Sequence, residues 1–278
     1  MGVSVRVHIG ATPENVRPSN RYNPIVPANT DHSVFKQPSN PDIKVWRYMD
    51  FAKYVSLLDK SALWFSRSDK FDDRFEGSTP YRELELRRTH AESLENPQMQ
   101  YGLYEHEAEV NRSRRQWIYV NCWHMNENES AAMWRLYASN NEAVAIQSTY
   151  ALLCDCLPSN VYLGEVRYID YTTESLPDTN IYSRFLHKRR SFEHERELRA
   201  VIDIYRELAL HAPEGYHPYD NDIAGVPVDI PVGRLLERVY VAPTAPTLFR
   251  DLVETITVKY NVGNKPVIRS SLEQDPVY

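Results

Sequence analysis

Apolar positions along this chain follow two periods, and the switches between them predict its elements. Val45-Trp46-Arg47-Tyr48 reads as a strand. Asp50 then stands as the N-cap of a helix through Lys60, with Phe51, Tyr54, Val55 and Leu58 on one face. Ala62 to Ser66 reads as a second strand, and Phe71 to Gly77 as a turn dense in Asp and Arg. Trp117 to Met125 alternates Ile118, Val120, Cys122 and His124 with Tyr119, Asn121 and Trp123, which is a strand pattern. A helix is expected from Asn128-Glu129-Ser130 through Tyr137, a strand over Ala143 to Gln147, a helix near Tyr150 to Cys156 and a strand over Val161 to Tyr168. Ile181 to about Glu193 reads as helical and Leu198 to Ile204 as a strand. Val239 to Ala242 and Val267 to Ser270 read as strands around a helix from Thr247 to about Lys259.

Two stretches stand apart. Residues 1–42 carry Pro13, Pro18, Pro24, Pro27, Pro38 and Pro41 with no helical period, which predicts an irregular arm. Within it the alternation of Val3 to Ile9 predicts a short strand. Residues 80–116 are strongly charged and helical in period, broken at Asn96-Pro97, and read as a two-helix insertion. Together these patterns predict an α/β (α+β) fold in which one domain, residues 43–278, builds a mixed central sheet flanked by helices.

Composition narrows the function classes. With 42% hydrophobic and 25% charged residues the chain can build a globular core. A net charge of −6 argues against a general nucleic-acid or anionic-membrane binder. Cys122, Cys154 and Cys156 form no paired framework, which suits a reducing compartment, and the reading is of plain thiols. No apolar run approaches the roughly 20 residues of a membrane helix, so the cytoplasm is the expected compartment. The aromatic content, 19 Tyr and 5 Trp against 8 Phe, suggests half-buried rings around the core rim.

Three segments could carry chemistry. In Leu63 to Gly77, Phe71 and Phe75 packed inward would hold Asp72, Asp73, Arg74 and Glu76 at a sheet edge, with Arg74 and Glu76 offered to a ligand. The second segment joins Asn121-Cys-Trp-His-Met to Met133-Trp-Arg-Leu-Tyr, where Met133, Trp134 and Tyr137 fall at helical spacings. The third runs from Lys188 to Ile202. On a helix Lys188, Phe192 and Glu195 share a face, and where it becomes a strand Glu195, Glu197 and Arg199 project to one side. A Lys, carboxylates and an Arg thus gather at one place, either as a structural ion network or as a site. Gly-x-Gly-x-x-Gly, Walker, His-Glu-x-x-His and Gly-x-Ser-x-Gly motifs are absent, and nine glycines leave little for a phosphate-cradling loop.

In this order the segments resemble the bacterial domain-of-unknown-function family 2971. That family shows a Phe-Asn-Asp-Pro-Phe-Glu type turn, a Cys-Phe-Ser strand with a Met-Trp-x-x-Tyr helix, and a Lys-x-x-x-Trp-x-x-Glu-x-Glu-x-Arg run. The matching residues are Phe71 to Glu76 with Arg74 in place of Pro, Cys122-Trp123-His124, Met133 to Tyr137, and Lys188, Phe192 in place of Trp, Glu195, Glu197 and Arg199. The resemblance spans roughly residues 43–260 and implies no established activity.

Three functional readings follow. The order of elements resembles ADP-ribosyltransferase-like toxins, whose first strand holds NAD with an Arg or His and whose late Glu stabilises an oxocarbenium-like centre. Arg47 would bind the pyrophosphate and Glu195 or Glu197 would be catalytic, with Arg74, Glu76, Trp134, Lys188 and Arg199 as ligand-binding neighbours, in a toxin or phage-defence effector. A binding module with no catalysis, taking a nucleotide or a protein, is the reading from another class. A Mg²⁺-dependent nuclease built on Asp72, Asp73, Glu76, Glu195 and Glu197 is the third.

Overall fold

A computed structural model of the protein describes residues 28–137, 141–205, 221–274 and 276. The chain opens with β1 (Lys44–Asp50), α1 (Phe51–Lys60) and β2 (Ala62–Arg67), followed by α2 (Tyr81–Glu92) and α3 (Pro97–Arg114). Next come β3 (Ile118–Met125), α4 (Ala131–Tyr137), β4 (Ala143–Thr149), α5 (Tyr150–Cys156), β5 (Tyr162–Glu165) and β6 (Arg167–Ile169). The last part holds β7 (His187–Arg189), β8 (Glu197–Asp203), β9 (Gly225–Asp229), α6 (Val232–Leu235), β10 (Arg238–Val241), α7 (Thr247–Lys259) and β11 (Val267–Arg269).

Among the described residues nine strands form one mixed sheet in the order β11-β10-β4-β1-β3-β2-β9, with β8 also on β3 and β5 beyond β8. β10 and β11 run parallel; the other ladders of this sheet are antiparallel. The mixed α/β architecture expected from the alternating periods is therefore present. The short parallel pair β6-β7 stands as a second sheet.

One feature of the register sets up the site. β8 pairs with β3 from Ile118↔Asp203 to His124↔Glu197. The opposite edge of β3 is shared end to end: β2 takes Tyr119 and Val120, and β1 takes His124 and Met125. Asn121, Cys122 and Trp123 fall between the two ladders, where β1 and β2 fork apart. Side chains bind the backbone there. Asn121 Nδ2 donates to the Trp64 carbonyl at 2.8 Å, and Arg47 Nη1 donates to the Cys122 carbonyl at 2.9 Å.

The helices form for reasons visible in their ends and faces. Asp50 Oδ1 accepts from the Lys53 amide at 2.8 Å, and Ser61, at φ 47°, turns the chain out of α1. Tyr54, Leu57 and Leu58 bury one face of α1, and Phe249, Val253 and Thr257 repeat every four residues along α7. Tyr54 and Thr257 join the two helices through a 2.7 Å hydroxyl pair. The charged insertion behaves differently. Asn96 caps α3 with Pro97 behind it, but α2 buries only Ala91 and α3 buries nothing. Arg87 ties the pair together, donating to Glu83 at 2.6 Å and Glu107 at 2.9 Å.

The main apolar core lies between the sheet and α1, α4, α5 and α7. A second cluster of Phe35, Ile118, Val120, Tyr182, Phe185, Leu186 and Val201 covers the other face of β3 and β8. Part of the arm belongs to that cover. Asn29 bridges to Tyr162, Phe35 is buried, and Gln37 Nε2 donates to the Leu163 carbonyl at 2.7 Å. The expected strand at Val3 to Ile9 lies outside the described residues.

Two expectations need correction. The helix expected over Ile181 to Glu193 is instead a 3-10 turn at Ser183–Phe185, the strand β7, and a 3-10 turn at Arg190–Glu195. Tyr182, Phe185 and Leu186 imitate a helical stripe because they point into the second core cluster, while His187 to Arg189 extend to pair with β6. The strand expected over Val161 to Tyr168 breaks at Val166, whose amide turns to the Glu197 carbonyl at 2.9 Å. β9 is a further strand beyond those the pattern predicts; it ends the sheet beside β2, an edge place where Pro227 is tolerated. Among the described residues no helix is long and apolar enough to cross a membrane.

Candidate functional site

Alternation along β8 sends Glu197 and Arg199 to the same face, opposite the core residues Leu198, Ala200 and Ile202. Arg199 is 1% exposed. Its guanidinium forks onto Glu76, with Nη1 donating to Oε1 and Nη2 to Oε2, the latter at 2.9 Å. Nη1 also donates to the Phe185 carbonyl at 2.6 Å, and Nε and Nη2 reach Glu197 Oε2 at 3.2 and 2.9 Å. Glu76 arrives from the turn after β2. Gly77, at φ 69°, doubles the chain back there, and any Cβ at that position would stand 2.7 Å from the Phe185 ring.

Lys188 extends the network. Its Nζ donates to Glu195 Oε2 and lies 3.7 Å from Glu197 Oε2, with the Phe192 ring 4.6 Å away. The two carboxylates flank Arg196, which adopts the left-handed conformation at φ 40°. The neighbouring strand β3 holds that kink: the Met125 amide donates to the Arg196 carbonyl at 2.9 Å, and His124 Nδ1 donates to the Glu195 carbonyl at 2.6 Å. Tyr168 Oη accepts from the Glu197 amide at 2.9 Å.

Burial and charge set the two carboxylates apart. Burial raises Glu195 and the charge of Glu197 adds to that, so Glu195 stays above the ordinary carboxylate range despite Lys188. Burial would also raise Glu197, but Arg199 and Lys188 outweigh it and hold Glu197 low. Burial would lower Arg199 and Lys188; Glu197 with Glu76, and Glu197 with Glu195, respectively keep both raised. Cys122 is pushed well up by burial and by Glu197.

Arg47 stands one strand away. It is half-buried as a residue, yet its guanidinium environment is dry enough for burial to lower it. Tyr137, at the end of α4, is 46% exposed as a residue, yet burial raises its hydroxyl, followed by the charges of Cys122, Glu195 and Glu197. Arg47, Cys122, Tyr137 and Glu195 form the rim of the cluster, where Tyr137 is exposed, Arg47 and Cys122 are half-buried and Glu195 is buried.

The structure brings together Glu76, Lys188, Glu195, Glu197 and Arg199 and places Arg47 beside them. Two expected ligand contacts lie elsewhere. Trp134 is 3% exposed, packed edge-on to Tyr48 at 5.0 Å, and donates from Nε1 to Glu129 at 3.0 Å, so its ring is core. Arg74 is exposed on the turn and lines a shallow groove with Phe75, Arg189 and Phe192. Nor do the five acids of the Mg²⁺ reading share one shell: Asp73 bonds Arg189 at 2.8 Å, Glu76 is taken by Arg199, and Asp72 is exposed. Among the described residues no three His, Cys, Asp or Glu side chains are grouped to hold a metal ion.

Reading the sequence missed Tyr168, and it placed His124 and Tyr137 in a candidate segment without naming them as site residues. His124 and Glu197 each lie on the correct strand face, but only the β3–β8 register shows that they are partners. Neither a family model, nor a curated protein, nor a solved structure shows significant similarity to the chain.

Proposed function

We propose that the protein acts on an NAD-class dinucleotide, breaking the bond between ribose C1′ and nicotinamide and passing the ADP-ribosyl group to an acceptor. What carries the reading is a pair of carboxylates sharing the Lys188 ammonium, one locked by Arg199 and the other not. Environments that push two neighbouring acids in opposite directions divide the labour between them. Glu197, held ionised, stabilises the positive charge that grows at C1′ as the C–N electron pair leaves with nicotinamide. Glu195, raised and on the rim, takes the proton of the attacking acceptor. Arg47 provides the cation for the pyrophosphate at the fork. On this reading the role, like that of the ADP-ribosyltransferase-like toxins whose element order the chain resembles, is that of a toxin or phage-defence effector.

The test is release of nicotinamide from NAD by purified protein, alone and with cell extract as acceptor. Glu195→Gln and Glu197→Gln should each lower release at least about 100-fold, the scale of a lost acid–base or electrostatic group. No release under either condition would favour the second reading, a binding module. That reading draws on the Glu76–Arg199 pair, whose 1% side-chain exposure on both partners suits a pin that holds the fold.

A further inference from the structure

Away from the carboxylate pair, a guanidinium lies between two rings. The Arg189 Cζ stands 4.1 Å from the Phe75 ring centroid and 5.2 Å from that of Phe192, and its Nη2 donates to Asp73 at 2.8 Å. Asp73 is 7% exposed on its side chain, so the slot has a buried acid at its end and aromatic walls. Those are the elements that recognise a planar cation: faces for cation–π stacking and a carboxylate for the N–H fork. Two shallow grooves, of about 320 and 350 Å³, run up to the slot, and Phe75 and Arg189 line both of them.

Arg189 fills the slot imperfectly. Its Nε is buried with no hydrogen-bond partner, and its side chain is still 36% exposed, against 1% for Arg199. An unpaired buried donor is a cost that swinging outward recovers. Arg190 beside it is turned outward onto Glu174 at 2.6 Å, so the neighbouring arginine already shows the solvent-facing alternative.

We propose that the Phe75–Phe192–Asp73 slot is a binding site for an arginyl side chain of a partner protein, and that Arg189 occupies it in the absence of that partner. A lysine fits the slot less well. Its ammonium offers no planar face to stack between the rings and no fork for the carboxylate. The slot shares the Phe192 ring with Lys188, 4.6 Å away, but the proposal needs no reaction at Glu195 and its test involves no NAD.

The full chain labelled with 4-fluorophenylalanine gives one fluorine signal for each of its eight Phe residues. Phe75 and Phe192 are assigned through Phe→Leu variants. Titration with Nα-acetyl-arginine amide should move these two signals saturably in the wild-type protein, and Nα-acetyl-lysine amide should need about tenfold more ligand. Arg189→Gly should tighten the arginyl ligand about tenfold by removing the internal competitor, and Asp73→Asn in that background should weaken it by a similar factor. The six other signals report whether each variant keeps its fold. The proposal is overturned by any of three results: no saturable shift in wild type at tens of millimolar ligand, equal binding of the lysyl and arginyl ligands, or a folded Asp73→Asn variant that binds as well as its parent.

Discussion

Replacing Arg199 by methionine tests whether the ion network holds the fold. The substitution keeps much of the side-chain length and removes the guanidinium, which serves both oxygens of Glu76, one of Glu197 and the Phe185 carbonyl. Glu197 keeps Lys188 at 3.7 Å, but Glu76, 2% exposed, is left with a buried charge and no cation. Charge-assisted bonds are worth about 1.5–3 kcal/mol each, yet they do not simply add, because burying the guanidinium already costs several kcal/mol. Removing one partner of a buried pair costs about 3–5 kcal/mol. Against a typical total of about 5–15 kcal/mol, that is a large share of the stability. Urea unfolding followed by far-UV circular dichroism should show the midpoint falling accordingly. The companion variant Glu76→Leu/Arg199→Met removes both charges and should recover about 2 kcal/mol or more of the loss, since an apolar pair of similar volume is often neutral. A single variant within about 1 kcal/mol of wild type, or a double variant no better than the single, would refute the view that Arg199 neutralises Glu76 in a dry interior.

Two further outcomes follow from the same geometry. Glu195 is held above its ordinary value, so its folded form favours the proton, and wild-type stability should decline as pH rises from the ordinary carboxylate range through that raised value. Glu195→Gln should lack this part of the slope, which unfolding series across that range would read. Gly164→Ala would place a Cβ 2.8 Å from the Phe35 Cα, so residues 28–42 would have to lift from β5 at a cost of about 1–3 kcal/mol. Limited proteolysis should cut that segment faster in the variant.

Where one local rule decided the outcome, the sequence was readable. Asp50 followed by an apolar stripe is α1, Asn96-Pro97 is the break between α2 and α3, and the alternation of Ile118 to His124 is β3. The Met133, Trp134 and Tyr137 spacing was readable as a stripe, but spacing alone does not say that the Trp134 ring closes against Tyr48 rather than opening on a ligand. The fork was illegible, because it arises from which edge of β3 each strand chooses, and nothing in Val45-Trp46 or Ser66-Arg67 encodes that choice alone. Lys188 does meet Glu195, though through a strand and a 3-10 turn and not through the helix its spacing suggested. The apolar contacts of Phe185 and Leu186 overrode the local period, which is how tertiary packing commonly defeats a short stripe.

The network joins two kinds of cation to two kinds of carboxylate, and the pairing is physically consistent with a fixed half and a working half. Arg199 presents a rigid planar fork, and it meets Glu76 where both side chains are 1% exposed. Lys188 presents a compact charge on a flexible stem and meets Glu195, whose side chain is 11% exposed and lies on the rim with Arg47 and Tyr137. Glu197 belongs to both halves, so any shift of Lys188 toward a ligand is felt by the Arg199 pair through a single oxygen, Oε2. The left-handed turn at Arg196 brings the two acids to the same ammonium. For a residue with a side chain that conformation costs about 1–2 kcal/mol. It persists because Met125 and His124 grip the carbonyls on either side of its amide. The strain at Arg196 is thus held by β3 between an acid kept above its usual range and one kept below it.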